Sequence, residues 1–241
     1  MPNTPSDSKD FGHWTEAHAL RRAMLLLGGV VLVFVVSMFL AAGRLGWTRG
    51  WFFLLISLLL AILSIAYLWR TNPEVVIART RFHQGTKRWD EVMVFLVIVS
   101  FMAILVTAAI DDGRFHWSVV PLWVTVVGYV LLFIGIAADV WGKSVNKFAE
   151  WTVRIQTERK QEVVDAGPYA IVRHPLHAAS FFLLGGIPLA LGSFWALIPA
   201  VVTASALIVR TALEDRMLYN ELEGYREYAN RVRYRLIPGI W

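Results

Sequence analysis

Long apolar runs separated by short polar stretches dominate the chain. Four of them carry no charged residue: residues 23–42, 51–69, 92–110 and 119–138. Each approaches the ~20 residues that a helix needs to cross the hydrocarbon core of a bilayer. A lone strand at that depth would leave its backbone unpaired, so helices are predicted. A fifth apolar block, residues 178–209, is too long for one ordinary span and short for two. Gly185, Gly186, Pro188, Gly192 and Ser193 interrupt it near the middle. The pattern predicts two short helices, residues 178–191 and 194–209, folded as a hairpin whose small residues let its backbones approach. A re-entrant pair that turns back inside the membrane satisfies the same pattern. After Arg210 the residues Leu218, Leu222, Tyr225, Ala229 and Val232 recur at helical spacing, which predicts an amphipathic helix weakened at Gly224. The expected fold is an all-α integral membrane bundle of about five to six spans. Residues 1–138 form its four-helix region, and residues 139–241 carry the hairpin and the amphipathic helix.

Composition supports this reading. Of 241 residues, 57% are hydrophobic and 17% charged, and the mean hydropathy is +0.54. A soluble domain has about 45–50% and about 25%. With no cysteine, disulfides, thiolate nucleophiles and cysteine-ligated metals are excluded. The formal charge is +5, and its distribution matters more than its size. If the termini and the 70–91 and 139–177 loops share one side, that side holds all lysines and arginines except Arg44, Arg49 and Arg114. The positive-inside rule then puts both termini in the cytoplasm, as expected of a bacterial inner-membrane protein. This bias accounts for the basic balance without a nucleic-acid partner. The first apolar run follows 22 mostly polar residues and exceeds a secretory signal core, so an uncleaved first span is expected.

Candidate chemistry is concentrated in the last third. Asp111 and Asp112, at the outer end of the third span, read as a solvated turn. Glu74 reads as a loop start, and His13, His18, His83 and His116 are isolated loop residues with no assigned role. Two polar clusters flank the predicted hairpin. The first runs from Gly167 to His177 as Gly-Pro-Tyr-Ala-Ile-Val-Arg-His-Pro-Leu-His. Pro175 suits the first turn of a helix, which places His174 at the helix mouth, where free N–H groups favour an anionic group. Arg173 adds a charge of bidentate geometry. The second cluster, from Arg210, includes Glu214, Asp215 and Arg216, and the chain ends with Arg235-Leu236-Ile237-Pro238 and Trp241. Plainer readings exist for each. Arg210 and Glu214 at i, i+4 make an ordinary ion pair. Tyr225 and Tyr228 suit an interfacial aromatic belt. The basic tail suits anionic lipid head groups. His174 and His177 at i, i+3 have no third ligand at metal spacing, so no metal is expected. The co-occurrence of both clusters beside one broken hairpin favours a binding site at one membrane face.

Gly167 to Pro175, the apolar hairpin, Glu214-Asp215-x-x-Leu218, Tyr225-x-x-Tyr228 and Arg235 to Pro238 together resemble the isoprenylcysteine carboxyl methyltransferase family. The phospholipid N-methyltransferases are similar in this region. The likeness begins near Asn146 and covers about the last hundred residues. It implies a helical membrane enzyme that uses S-adenosylmethionine from the cytoplasm on a lipophilic small-molecule or lipid substrate. Carried over by motif, it assigns Tyr169, His174, Pro175, Glu214 and Asp215 to the cofactor, with Tyr225 and Tyr228 folded over the same site. Two positions depart from the pattern: His177 stands where relatives usually have Tyr, and Asp215 where they usually have Glu.

The chemistry is consistent with methyl transfer. Glu214 and Asp215 can receive an ammonium or ribose hydroxyls, and His174 with helix-start N–H groups can receive a carboxylate. A carboxylate acceptor would be held by Arg173 or Arg210, whereas an amine acceptor would need a base, for which His177 is the candidate. Two other readings compete: a sterol-reductase-like membrane oxidoreductase using NADPH, and a non-enzymatic membrane scaffold.

Overall fold

The computed structural model describes residues 6–79 and 85–241; Arg81 and His83 lie outside the described residues. The described residues contain eight α-helices and no strand: α1 Ser6–Ala42, α2 Thr48–Thr71, α3 Pro73–Ala78, α4 Arg88–Ala108, α5 Leu122–Val145, α6 Pro175–Ala190, α7 Leu197–Glu221 and α8 Tyr225–Arg231. Among the described residues, five stretches are helical, long and apolar enough to cross a membrane: Met24–Ala42, Thr48–Thr71, Arg88–Phe115, Leu122–Val145 and Leu197–Glu221. α6 is shorter. The protein is therefore an all-α integral membrane bundle. Large apolar side chains such as Leu55, Leu59, Phe95 and Val201 face outward, as a lipid-facing surface requires.

The tightest helix contact is between α5 and α6, and a row of glycines makes it. Gly128, Gly135 and Gly142 lie seven residues apart on one face of α5. A Cβ at Gly128 would stand 2.3 Å from Ala190 N, one at Gly135 2.6 Å from Leu183, and one at Gly142 2.6 Å from Leu176. The partner numbers fall as the glycine numbers rise, so the helices are antiparallel. Without hydrophobic drive between helices in lipid, such close backbone approach is the main source of association. The small residues of the hairpin therefore work differently from expectation. Gly186 packs against Gly128 O and Leu132 N of α5 rather than against α7.

The second hairpin helix also departs from the sequence reading. It does not end at residue 209 but runs unbroken to Glu221, so Arg210 to Arg216 belong to the span's own helix. A charged residue where a helix leaves the membrane does not stop the helix. The stop comes at Leu222 and Gly224, whose φ of +77° suits glycine, and α8 follows. The predicted amphipathic helix is thus the end of α7 plus the separate α8.

The hairpin tip reaches the far face of the bundle. α4 ends in a π-helical turn, Ala109–Phe115, that buries Asp111 completely. The Asp111 carboxylate accepts hydrogen bonds from Ser118 N, Ser118 Oγ and Ser193 Oγ. Asp112 accepts from Trp47 Nε1 and pairs with Arg49. These aspartates are not a solvated turn. They tie the α1–α2 turn, the end of α4 and the α6–α7 hairpin tip together. The hairpin therefore runs the full depth of the bundle rather than turning back within it.

Candidate functional site

At the opposite face the chain between α5 and α6 is not helical over most of its length. Residues 146–174 run under the bundle with two short 3-10 turns, Thr157–Arg159 and Gly167–Ala170. Arg79 staples this segment by donating to Ala149 O and Glu150 O, and its guanidinium lies 3.8 Å over the Trp151 ring. Burial pushes the Arg79 pKa down to about 10. Arg154 is held by Glu150 and Glu158, whose hydrogen bonds keep it firmly protonated.

The α6 start is built as expected. Pro175 occupies the first turn and His174 caps the helix. The C-terminal tail runs alongside, with Arg173 N donating to Tyr234 O and His174 N to Arg235 O, each at 2.9 Å. Beneath lies a cleft of about 880 Å³, counting the solvent at its mouth. Tyr169, Arg173, His174, Pro175, His177, Arg210, Glu214, Tyr225 and Tyr228 all line it. The two clusters separated in sequence are thus one wall in space.

Asp215 is the exception, since it lies behind the cleft wall. Its buried carboxylate accepts from Arg173 Nη1 at 3.0 Å, Arg235 Nε at 2.8 Å and Tyr225 OH at 2.9 Å, and lies 3.2 Å from His174 Nε2. It joins α6, α7, α8 and the tail. Tyr228 OH donates to Tyr169 O at 2.8 Å, and Asn146 Nδ2 donates to Tyr169 OH at 2.8 Å. Tyr225 and Tyr228 are therefore buried in the site, not in an exposed interfacial belt. Burial raises the pKa of Tyr169, Tyr225 and Tyr228 above the ordinary phenol value.

Glu214 points the other way. It is mostly buried, yet it makes no hydrogen bond among the described residues; its nearest partners are His177 Nε2 at 3.7 Å and His174 Nδ1 at 3.9 Å. Both are too long to count as hydrogen bonds. Arg173 Nε is likewise buried without an acceptor among the described residues. Among the described residues, one wall thus holds a carboxylate without a hydrogen bond and a guanidinium N–H without an acceptor. The pair of histidines expected to lack a third ligand does gain one in Glu214, as the three ligand atoms lie within 4.8 Å of one another. A cation there would have to displace Arg210, whose Nη1 sits 3.1 Å from His177 Nε2.

Arg210 pairs with Asp90 of α4 at 2.7 Å, not with Glu214 one turn along its own helix. Sequence reasoning missed Asp90, and it also missed Thr211, which contacts His177 Nδ1 at 2.9 Å. An acid in the first turn of a helix is ordinary, so nothing marked Asp90 beside Glu91.

A lipid-facing helical bundle with a polar cleft at one end defines an integral membrane protein with a candidate small-molecule site. Residues 123–223 match the family model of the phospholipid methyltransferases. The resemblance read from Gly167 to Pro175 and Glu214-Asp215 falls within this match, so this part of the chain is similar to a membrane methyltransferase family. The match spans α5 to α7 and ends before Tyr225, Tyr228 and Arg235. Comparison with curated proteins returns no match.

Proposed function

We propose that the protein methylates a carboxylate on a lipophilic substrate at the cytoplasmic membrane face, with S-adenosylmethionine as methyl donor. The observation that carries this reading is one cleft wall in which the Glu214 carboxylate makes no hydrogen bond and the Arg173 Nε–H has no acceptor among the described residues. Together they suit the ammonium and carboxylate of a free amino-acid end. Tyr169, His174, Tyr225 and Tyr228, with Met217, Leu218 and Leu222, offer the mixed polar and apolar lining that the remainder of such a ligand needs.

When bound, S-adenosylmethionine supplies an electrophilic methyl group on a sulfonium. The protein's part is to hold, align and desolvate. Glu214 would hold the donor's ammonium and Arg173 its carboxylate. Asp215 acts from behind, fixing Arg173, His174 and Tyr225. Arg210 faces the acceptor side. A guanidinium has five N–H groups. Those of Arg210 go to Asp90, Trp151 O and His177 Nε2, which leaves an Nη1 hydrogen for a ligand acceptor.

A carboxylate acceptor needs no base, whereas an ammonium must first lose a proton. His177 is poorly set to take one, because Arg210 occupies its Nε2 and Thr211 its Nδ1. This favours the carboxylate. The matched family, the phospholipid methyltransferases, favours an amine acceptor instead.

The test is a parallel titration of purified protein with S-adenosylhomocysteine and with NADPH, reading thermal stability. A ligand at 100 times its dissociation constant adds about 2.7 kcal/mol of stability. A shift with S-adenosylhomocysteine that Glu214→Gln removes supports the proposal. A shift with NADPH alone points to reductase chemistry, and no shift with either returns the scaffold reading.

A further inference from the structure

We infer that Asp90, in the N-terminal half and outside the matched region, is a positioning residue for the reaction: it fixes Arg210 and, through Arg210, the tautomer of His177 at the cleft. The inference rests on the methyl-transfer reading of the cleft for its functional meaning, but its geometry stands alone.

Asp90 lies in the first turn of α4 and is fully buried. Oδ1 accepts from Arg210 Nε at 2.7 Å, and Oδ2 accepts from Val153 N at 2.7 Å with Arg210 Nη2 at 3.4 Å. The same Nη2 donates to Trp151 O at 2.9 Å. Asp90 therefore holds both the arginine and the loop that faces it.

The protons can be followed from the other end. Thr211 Oγ1 donates its hydrogen to Leu207 O at 2.7 Å, so toward His177 Nδ1 it can only accept. Nδ1 therefore carries the imidazole proton. That leaves a lone pair on Nε2, and Arg210 Nη1, which can only donate, meets it at 3.1 Å. Asp90, Arg210, His177 and Thr211 form one chain with a single consistent set of donors. Arg210 and His177 line the cleft; Asp90 and Thr211 stand behind them. Thr211 on Nδ1 and Arg210 on Nε2 together hold the neutral imidazole in this tautomer, and Arg210 stays there because Asp90 holds its other edge.

The test labels the histidines with nitrogen-15 and reads the tautomer of His177 by long-range proton–nitrogen spectra, assigned with His177→Gln. The wild type is expected to show Nδ1–H with a bare Nε2. Asp90→Asn is expected to lose this pure signature, and so is Thr211→Val, which attacks the chain from the far end and covers the case in which Asp90→Asn fails to fold. Arg79→Met removes the other staple on the same loop and is expected to leave the signature intact. In turnover with tritiated S-adenosylmethionine and either oleate or phosphatidylethanolamine vesicles, misplacing Arg210 is expected to cost about 10- to 100-fold. S-adenosylhomocysteine affinity should stay within about twofold, because Asp90 does not touch the Glu214 side. The Asp90→Asn, Arg210→Lys double variant should be no slower than the slower single variant. An unchanged His177 tautomer in both Asp90→Asn and Thr211→Val overturns the inference. A tautomer change in a protein that binds no S-adenosylhomocysteine overturns the methyl-transfer reading and leaves the Asp90 link standing.

Discussion

Replacing Asp215 by asparagine removes the one charge on which four side chains converge: Arg173, Arg235, Tyr225 and His174. Asparagine keeps the shape but presents an amide NH₂ where one oxygen stood, and that group cannot accept a hydrogen bond. Arg235 is one-third exposed (33%) and can rehydrate, so its lost pairing costs little. Arg173 is 10% exposed and cannot. Removing one partner of a buried ion pair costs about 3–5 kcal/mol, because the other is left uncompensated. At about 2–4 °C per kcal/mol for a chain of this length, melting should fall by roughly 6–20 °C. Tryptophan fluorescence in detergent reads the transition. S-adenosylhomocysteine binding should weaken as well, since Arg173 and His174 lose their anchor. A melting temperature within about 2 °C of wild type, with binding retained, would show that Asp215 does not organise the site from behind.

Three further outcomes are expected. Gly128→Leu should abolish folded, monodisperse protein on size exclusion, because even a Cβ there meets Ala190 N at 2.3 Å and cannot be relieved by a side-chain shift. Asp111→Ala should lower the melting temperature while leaving S-adenosylhomocysteine affinity within twofold, since the knot it breaks lies at the far face from the cleft. Alkaline pH should destabilise the site through its tyrosines. Burial raises their pKa above the ordinary value of 10.0, so their contribution is fully present below that pH and is lost as pH rises through the folded values. A scan of melting temperature from pH 8 upward checks this, and Tyr225→Phe should flatten the fall.

What the sequence made legible follows from which forces are local. The spans were legible because crossing a bilayer sets a length and a composition that a single stretch must meet by itself. The α6 start was legible because Pro175 fixes its own first turn. The end of α7 was not, since Arg210 and Glu214 look like a membrane boundary but are helix-compatible, and only Gly224 ends the run. The burial of Asp111 depends on Ser193, 82 residues away, which no local pattern encodes. In sequence Glu214 and Asp215 form one acidic pair. Successive residues on a helix point about 100° apart, so one faces the cleft and the other the hub behind it. Asp90 and Glu91 are equivalent in sequence, and only the packing of α4 against α7 shows which one meets Arg210.

Methyl transfer to a lipid-soluble carboxylate can be read from where a labelled methyl group goes. Purified protein is incubated with S-adenosylmethionine tritiated on the methyl group and a membrane lipid extract. The organic phase is then counted before and after alkaline hydrolysis. Methyl esters release volatile tritiated methanol and N-methyl groups do not. Label is expected to enter the lipid phase, to be released by alkali, and to be lost in Glu214→Gln. Label that enters the lipid phase and resists alkali would contradict the carboxylate assignment, and wild-type protein that binds S-adenosylhomocysteine no better than Glu214→Gln would contradict the site itself.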